Sequence, residues 1–268
     1  MRSLLKIGFA LLVLAFLLIG LGYGMLRAEG TATPGSAEGR MVTSQARAVG
    51  NGIASIDLDG PIDMSLRQGA VASLVVRGEQ RLLANIDTTQ DGATLHIGTK
   101  GMLLHHRQPL QVTLVLPQLA TVMVRGSGDS TVNGFSGEQI GIELNGSGNL
   151  KFNGRYRQVK AALHGSGDLE LNGGSSDLVD AALVGSGRLT VVGACKELRL
   201  EHSGSGDVDG EHLAAGKATI GLHGSGTSTV NVLDSISVSL HGSGDVIVYG
   251  NPTERNVNRT GSGSVDFR

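Results

Sequence analysis

Two stretches of the chain, His164-Gly-Ser-Gly-Asp168 and His241-Gly-Ser-Gly-Asp245, put an imidazole, a hydroxyl and a carboxylate side by side. These are the groups of a nucleophilic hydrolase, in which a base takes the hydroxyl proton and a third group orients the base. Catalysis needs one such serine, yet the tripeptide Gly-Ser-Gly occurs eight times. Histidine precedes it only at His164, His223 and His241, while Arg125-Gly-Ser-Gly-Asp129 and Ser203-Gly-Ser-Gly-Asp207 keep the aspartate without the base. The nucleophile elbow Gly-x-Ser-x-Gly is absent. A corner, with Ser and Asp bonding nearby backbone, accounts for the motif better than catalysis.

The aspartates also suggest metal chemistry. Asp129, Asp168, Asp207 and Asp245 follow alternate copies of the motif, and Asn149, Arg188, Thr227 and Ser264 follow the others. If the copies stack at about 4.8 Å, adjacent carboxylates would repel, and alternation relieves the repulsion. The metal alternative is calcium held between coils, as in nonapeptide repeats, but only one Asp per unit is on offer. Asn133, Asn153, Asn172 and Asn231 share one offset and suggest an amide ladder or left-handed turn residues. His105 and His106 are adjacent in a polar loop and would point apart. Cys195, the single cysteine, allows no intramolecular disulfide and reads as a small inert side chain. No residue is assigned a catalytic, cofactor-binding or metal-ligating role.

The elements that carry these residues follow from the repeat. The motifs begin at Gly126, Gly146, Gly165, Gly185, Gly204, Gly224, Gly242 and Gly261, at spacings of 20, 19, 20, 19, 20, 18 and 19. Two residues before each stand Val124, Leu144, Leu163, Leu183, His202, Leu222, Leu240 and Arg259, and apolar residues recur four and six before. This alternation marks strands with one buried face. It runs through the motif without a reset, so both glycines take the inward parity and the serine the outward one. The expected reason is a backbone close to the core axis, where no Cβ fits. One unit cannot bury its own apolar face, but stacked units can. An antiparallel sandwich would not need the same residue at the same offset in every unit. Eight coils at that spacing make a rod of roughly 40 Å. Arg255 and Arg259 at inward positions mark a terminal cap.

The sequence predicts three regions. Residues 1–28 form a signal anchor or signal peptide: Arg2 and Lys6 precede a charge-free apolar run over residues 7–26, long enough to span a bilayer. Residues 29–47 are small and polar and read as a flexible linker. Residues 48–268 form one head domain, with 48–117 as irregular early coils and 118–268 as the Gly-Ser-Gly repeats. In the early part, Asp91-Gly92 is a hairpin signal, 110–116 alternates as a strand, and 79–85 suits a short helix. Glycine is 42 of 268 residues but proline only 5, which fits many tight turns and excludes collagen. Without Arg2, Lys6 and Arg27 the body holds 19 Lys+Arg against 24 Asp+Glu, so it offers no cationic footprint for nucleic acid.

The serial strand-GSG-strand units, the run LQVTLVLPQLATVMVRGSGD and the closing SVSLHGSGDVIVYGNPTERNVNRTGSGSVDF resemble the head GIN domain family of autotransporter-adhesin head domains. The resemblance covers residues 48–268. It implies an exported, all-β, right-handed parallel β-helix with coils of about 19 residues and no cofactor. Together these readings predict a non-catalytic module of the cell envelope, its head outside the cytoplasm in the periplasm or at the cell surface. It would be tethered to the membrane through residues 7–26 and would bind an envelope protein or glycan. Two other functions are carried forward: a carbohydrate-active β-helix enzyme and an envelope protein that binds lipid or a small molecule. Sugar sites use stacking aromatics and convergent acids, and beyond the anchor only Phe135, Phe152, Phe267, Tyr156 and Tyr249 supply rings.

Overall fold

The computed structural model describes residues 41–101 and 108–268. The segment 7–26, residues 29–40 of the linker, and His105 and His106 lie outside those limits. Among the described residues no helix is long and apolar enough to cross a membrane.

The chain folds as a β-solenoid of about seven turns. Eight Gly-Ser-Gly corners bound seven turns, one fewer than the eight coils expected from counting motifs. After β8 (Thr121–Gly126), six long strands each run from one corner to the next: β9 (Asp129–Gly146), β10 (Asn149–Gly165), β11 (Asp168–Gly185), β12 (Arg188–Gly204), β13 (Asp207–Gly224) and β14 (Thr227–Gly242). The next coil is divided between β15 (Asp245–Tyr249) and β16 (Glu254–Gly261), and β17 (Ser264–Phe267) begins one more by pairing on β15. Successive long strands pair in parallel and in register; β10 sets Leu163 beside Leu183 and Gly165 beside Gly185 on β11.

That register turns each inward position into a column. Leu144, Leu163 and Leu183 touch in sequence and are fully buried, as are Leu222 and Leu240 farther along. Burying a leucine contributes roughly 2–3 kcal/mol, so the column repeats the same gain coil after coil. The parity holds through the corner: Gly128, Gly148 and Gly167 are buried, and all eight corner serines are exposed.

The corners show why glycine is required, and the reason is only in part the expected one. A Cβ on Gly146 would land on the carbonyl oxygen of Gly126, and one on Gly165 on that of Gly146. The first obstacle is the equivalent glycine one coil back; at the second glycine of the motif the core obstructs as well, since a Cβ on Gly187 would also meet Leu163 and one on Gly226 the His202 ring. The second glycine obeys the same rule, since a Cβ on Gly167 would land on the carbonyl of Gly148. The close approach makes a forked hydrogen bond. The amides of Ser166 and Gly167 both donate to the Gly146 carbonyl, at 3.0 and 3.1 Å, and those of Ser186 and Gly187 both donate to Gly165. Gly185 also carries φ +134°, a conformation costly for any residue with a side chain.

A second corner lies where the register slips, between Asn153 and Gly154 on β10 and between Asn172 and Gly174 on β11. Beneath it Phe135, Phe152 and Tyr156 fill the interior, and the Tyr156 hydroxyl donates to the Leu119 carbonyl at 2.7 Å. The core therefore absorbs three of the five rings considered for sugar stacking.

The stack is closed at both ends. At the N-terminal end the coils do not follow chain order. The coil of β2 (Ser55–Asp59) and β3 (Ile62–Gln68) sits between that of β6 (Thr94–Thr99) and β7 (Leu110–Leu116) and that of β8 and β9. Beyond it lie antiparallel strands: β5 (Ile86–Asp91) on β6, β4 (Ser73–Glu79) on β7, and β1 (Val42–Arg47) on β4. The β5–β6 hairpin turns at Asp91-Gly92, and α1 (Gln80–Leu83) tucks Leu82 and Leu83 into the core. The linker reading is corrected here, since residues 42–47 form an edge strand instead of flexible chain. At the other end the Arg255 guanidinium lies 4.4 Å over the Phe267 ring and donates to Pro252 and Asn251. Arg259 reaches the Gly263 carbonyl at 2.9 Å. Two arginines at inward positions thus lid the last coil.

Replacing Gly185 with alanine should lower stability by on the order of 3 kcal/mol in urea unfolding followed by circular dichroism. Ser186→Ala, one residue away but pointing outward, should stay within about 0.5 kcal/mol of the wild type. Equal effects would contradict the stacked-carbonyl account.

Candidate functional site: the outer wall

The residues singled out for chemistry are spread along the wall in columns and do not converge. The column after the corners runs Asp129, Asn149, Asp168, Arg188, Asp207, Thr227, Asp245, Ser264, each in register with the next. Neutral or cationic neighbours separate the carboxylates as expected. Asn149 Nδ2 donates to Asp129 Oδ1 at 2.8 Å, Arg188 to Asp207 at 3.2 Å, and Ser264 Oγ to Asp245 Oδ1 at 2.8 Å. The corner aspartates therefore bond between coils more than within their own turn. Among the described residues no three His, Cys, Asp or Glu side chains are placed to share a metal ion.

The neighbouring face carries ion pairs between coils. Lys151 meets Glu170 at 2.9 Å, and the hydrogen bond and charge of that carboxylate raise the lysine's pKa. Asp177 is held below the usual carboxylate range by its hydrogen bond to Lys196, then by the one to Arg157. The amide ladder forms in part: Asn153 Nδ2 donates to Asn133 Oδ1 at 2.9 Å and Asn172 is next in register. Asn231 stands apart from those three, paired instead with Tyr249.

The hydrolase constellation does not assemble. His164 lies in a column between Asn145 and Val184, and His223 stacks on His241 with ring centroids 4.9 Å apart. Among the described residues the one His–Ser hydrogen bond joins His202 Nδ1 to Ser228 Oγ at 2.9 Å, and both residues are fully buried, out of reach of any substrate. Cys195 is buried too, and burial pushes its thiol up to about 11.

The pair His202–Ser228 is the feature that reading single columns missed. The histidine interrupts the leucine column before the corners. The serine interrupts the apolar column four residues past the first glycine, where Leu189, Val208 and Val246 stand. Two polar breaks, one coil apart on either side of a corner, were the available signal; that they meet is a tertiary fact. Burial pulls the His202 pKa below its usual 6.5, only partly opposed by Asp207.

A wall of in-register parallel strands, closed by caps and filled with aliphatic side chains, defines the protein as a β-solenoid. The chain belongs to the family described as putative auto-transporter adhesin, head GIN domain, whose model matches residues 54–179 and 174–252. Among curated proteins none matches. The fold is shared with a putative adhesin from Parabacteroides distasonis, at TM-score 0.81 and 22% identity, covering 86% of this chain and 98% of that one. A putative adhesin from Parabacteroides merdae gives 0.79 and 16%, covering 85% and 96%. A protein of P. distasonis described as a putative lipid binding protein gives 0.72 and 20%, with the same coverage.

Protonating His202 requires charging a sealed side chain, so its folded-state pKa lies below the unfolded one. Stability is complete above pH 6.5 and declines as pH falls below it, by at most about 1.4 kcal/mol per unit. The double substitution His202→Leu with Ser228→Val should flatten the urea midpoint between pH 7.5 and pH 5. A second prediction concerns the acidic column. Arg188→Asp would align carboxylates on three successive coils, lowering the urea midpoint at low salt, with most of the loss recovered in 1 M NaCl.

Proposed function

We propose that this chain is a non-catalytic binding module of the cell envelope that engages its partner through the outer wall of the solenoid. Residues 7–26 hold it in the membrane, and the head stands on the outer side. The supporting observation is where the side chains go: among the described residues polar and charged groups lie in columns along an extended wall, while the inward columns are aliphatic and buried. The inner void lined by Phe152, Leu171 and Leu213 is only about 10 Å³, scarcely room for one water. A lipid or metabolite reading needs an apolar cavity of several hundred cubic ångströms, on the order of 300–1,000 Å³. The enzyme reading needs convergent acids, and the corner aspartates are distributed singly, one per alternate coil. A half-open groove of about 520 Å³ lined by Asp129, Lys151, Glu170 and Arg188 shows what the wall presents: mixed charge, not an apolar cavity.

The full-length protein, displayed in its native membrane or in nanodiscs, should bind surface polysaccharides or envelope proteins saturably and leave them intact. Reducing ends released from a polysaccharide panel, or a fatty acid retained in stoichiometric amount through purification, would defeat this reading.

A further inference from the structure

Charge is unevenly spread on the wall. Between coils it takes the form of ion pairs such as Arg125–Asp57, Lys151–Glu170 and Arg188–Asp207. Among the described residues no ion pair involves any position beyond Asp207. The change is sharpest on the strand face that precedes the corners. There β12 presents Glu197, Arg199 and Glu201, with Arg199 bonded to Glu197 at 2.8 Å. One coil on, the Arg199 and Glu201 columns become neutral at Thr219 and Gly221, while the Glu197 column continues to Lys217 at the margin. Thr219, Gly221 and His223 of β13 pair in register with Ser237, Ser239 and His241 of β14. Those pair in turn with Asn256, Asn258 and Thr260 of β16.

The result is a three-by-three grid of hydroxyl, carboxamide and imidazole groups, spaced about 4.8 Å across the strands and about 6.7 Å along them. Its floor is low, because Gly221 has no side chain and the neighbouring residues are small; only the carboxylate of Glu201, folded over Gly221, intrudes at one margin. Lys217 and Glu254 stand at another. The stacked His223 and His241 rings, tilted 13° to each other, form a rail beside the corner. β16 is exposed along its whole length, at the opposite end of the stack from β1, where the chain enters the head.

The chemistry of this grid narrows its partner. Every group both donates and accepts hydrogen bonds, except the bare glycine, and each is neutral when the imidazoles are unprotonated. A nucleic acid or acidic polymer would seek Lys and Arg. A protein interface would want aromatic or arginine anchors around an apolar centre. A chain of neutral sugars offers the same mixed donor–acceptor hydroxyls, brings no charge of its own to desolvate, and matches a lattice of short polar side chains.

Resting on the binding-module reading above, we propose that the neutral grid of β13, β14 and β16 is a docking surface for an uncharged glycan chain. Full-length protein in nanodiscs, titrated with mannan, dextran and laminarin and with heparin and polygalacturonate, tests it. At least one neutral polymer should bind saturably and at least tenfold more tightly than either acidic one. Ser239→Arg and Asn258→Asp should each weaken that binding tenfold or more while leaving the melting curve in place. Thr190→Arg, on the other side of the corner, should leave it unchanged. Equal or tighter binding of the acidic polymers overturns the proposal, as does full binding by both grid variants or binding lost equally in Thr190→Arg. Failure of every neutral polymer overturns it too, while saturable binding of another envelope component in the same assay would keep the broader reading alive.

Discussion

The forked hydrogen bond at the Gly-Ser-Gly corner is the constraint on which the rest of this molecule depends. One carbonyl, such as that of Gly146, receives the amides of both Ser166 and Gly167 from the next coil. Two strong donors can converge on one acceptor only if the glycine above it carries no Cβ. Once the corners stack this closely, strand pairing on both sides is fixed in register. A slip of one residue would send every inward leucine to the solvent. A chain with no disulfide and few aromatics thereby obtains a rigid axis from main-chain groups alone.

Register has consequences inside and outside. Inside, like stacks on like, and the aliphatic columns leave almost no void. The polar exceptions are sealed and only partly matched: His202 bonds Ser228 through Nδ1 while its Nε2 has no partner, and Ser130 keeps a lone hydroxyl. A charge in such a column has no water to reach, which makes the buried imidazole sensitive to acid. Outside, identical side chains on successive coils would repel if charged, and the wall answers by alternating Asp with Asn, Arg, Thr or Ser. The same geometry brings opposite charges together, as at Lys151 and Glu170. Such exposed pairs contribute little to stability. Among the described residues the ion pairs end at Asp207, and the neutral columns of β13, β14 and β16 give the same scaffold a surface of different character.

Both ends of a solenoid expose unpaired strand edges, a standing invitation to aggregation. The N-terminal end is covered by a short helix, a hairpin and the antiparallel edge strand β1. At the C-terminal end Arg255 and Arg259 stand at inward positions, and their guanidinium groups find carbonyls and a ring. Membership in the adhesin head family fits a chain whose investment is in a stiff, capped rod.

The sequence alone determined the repeat, the parity of every strand in it, the stacked serines and alternating aspartates, and the arginine cap. All of these are periodic, and a period of about 19 residues with unbroken alternation admits one way of burying the apolar face. Only the tertiary structure decided why glycine is needed at the corner, because the obstructing carbonyl belongs to another coil. The same holds for the contact between His202 and Ser228, the burial of Phe135, Phe152 and Tyr156, and the strand formed by residues 42–47. It also holds for the non-sequential order of the early coils, whose strands lack the tripeptide and find their partners across dozens of residues. Contacts between coils depend on which residues become neighbours once the chain has wound, and a linear reading sees that only where the repeat is strict.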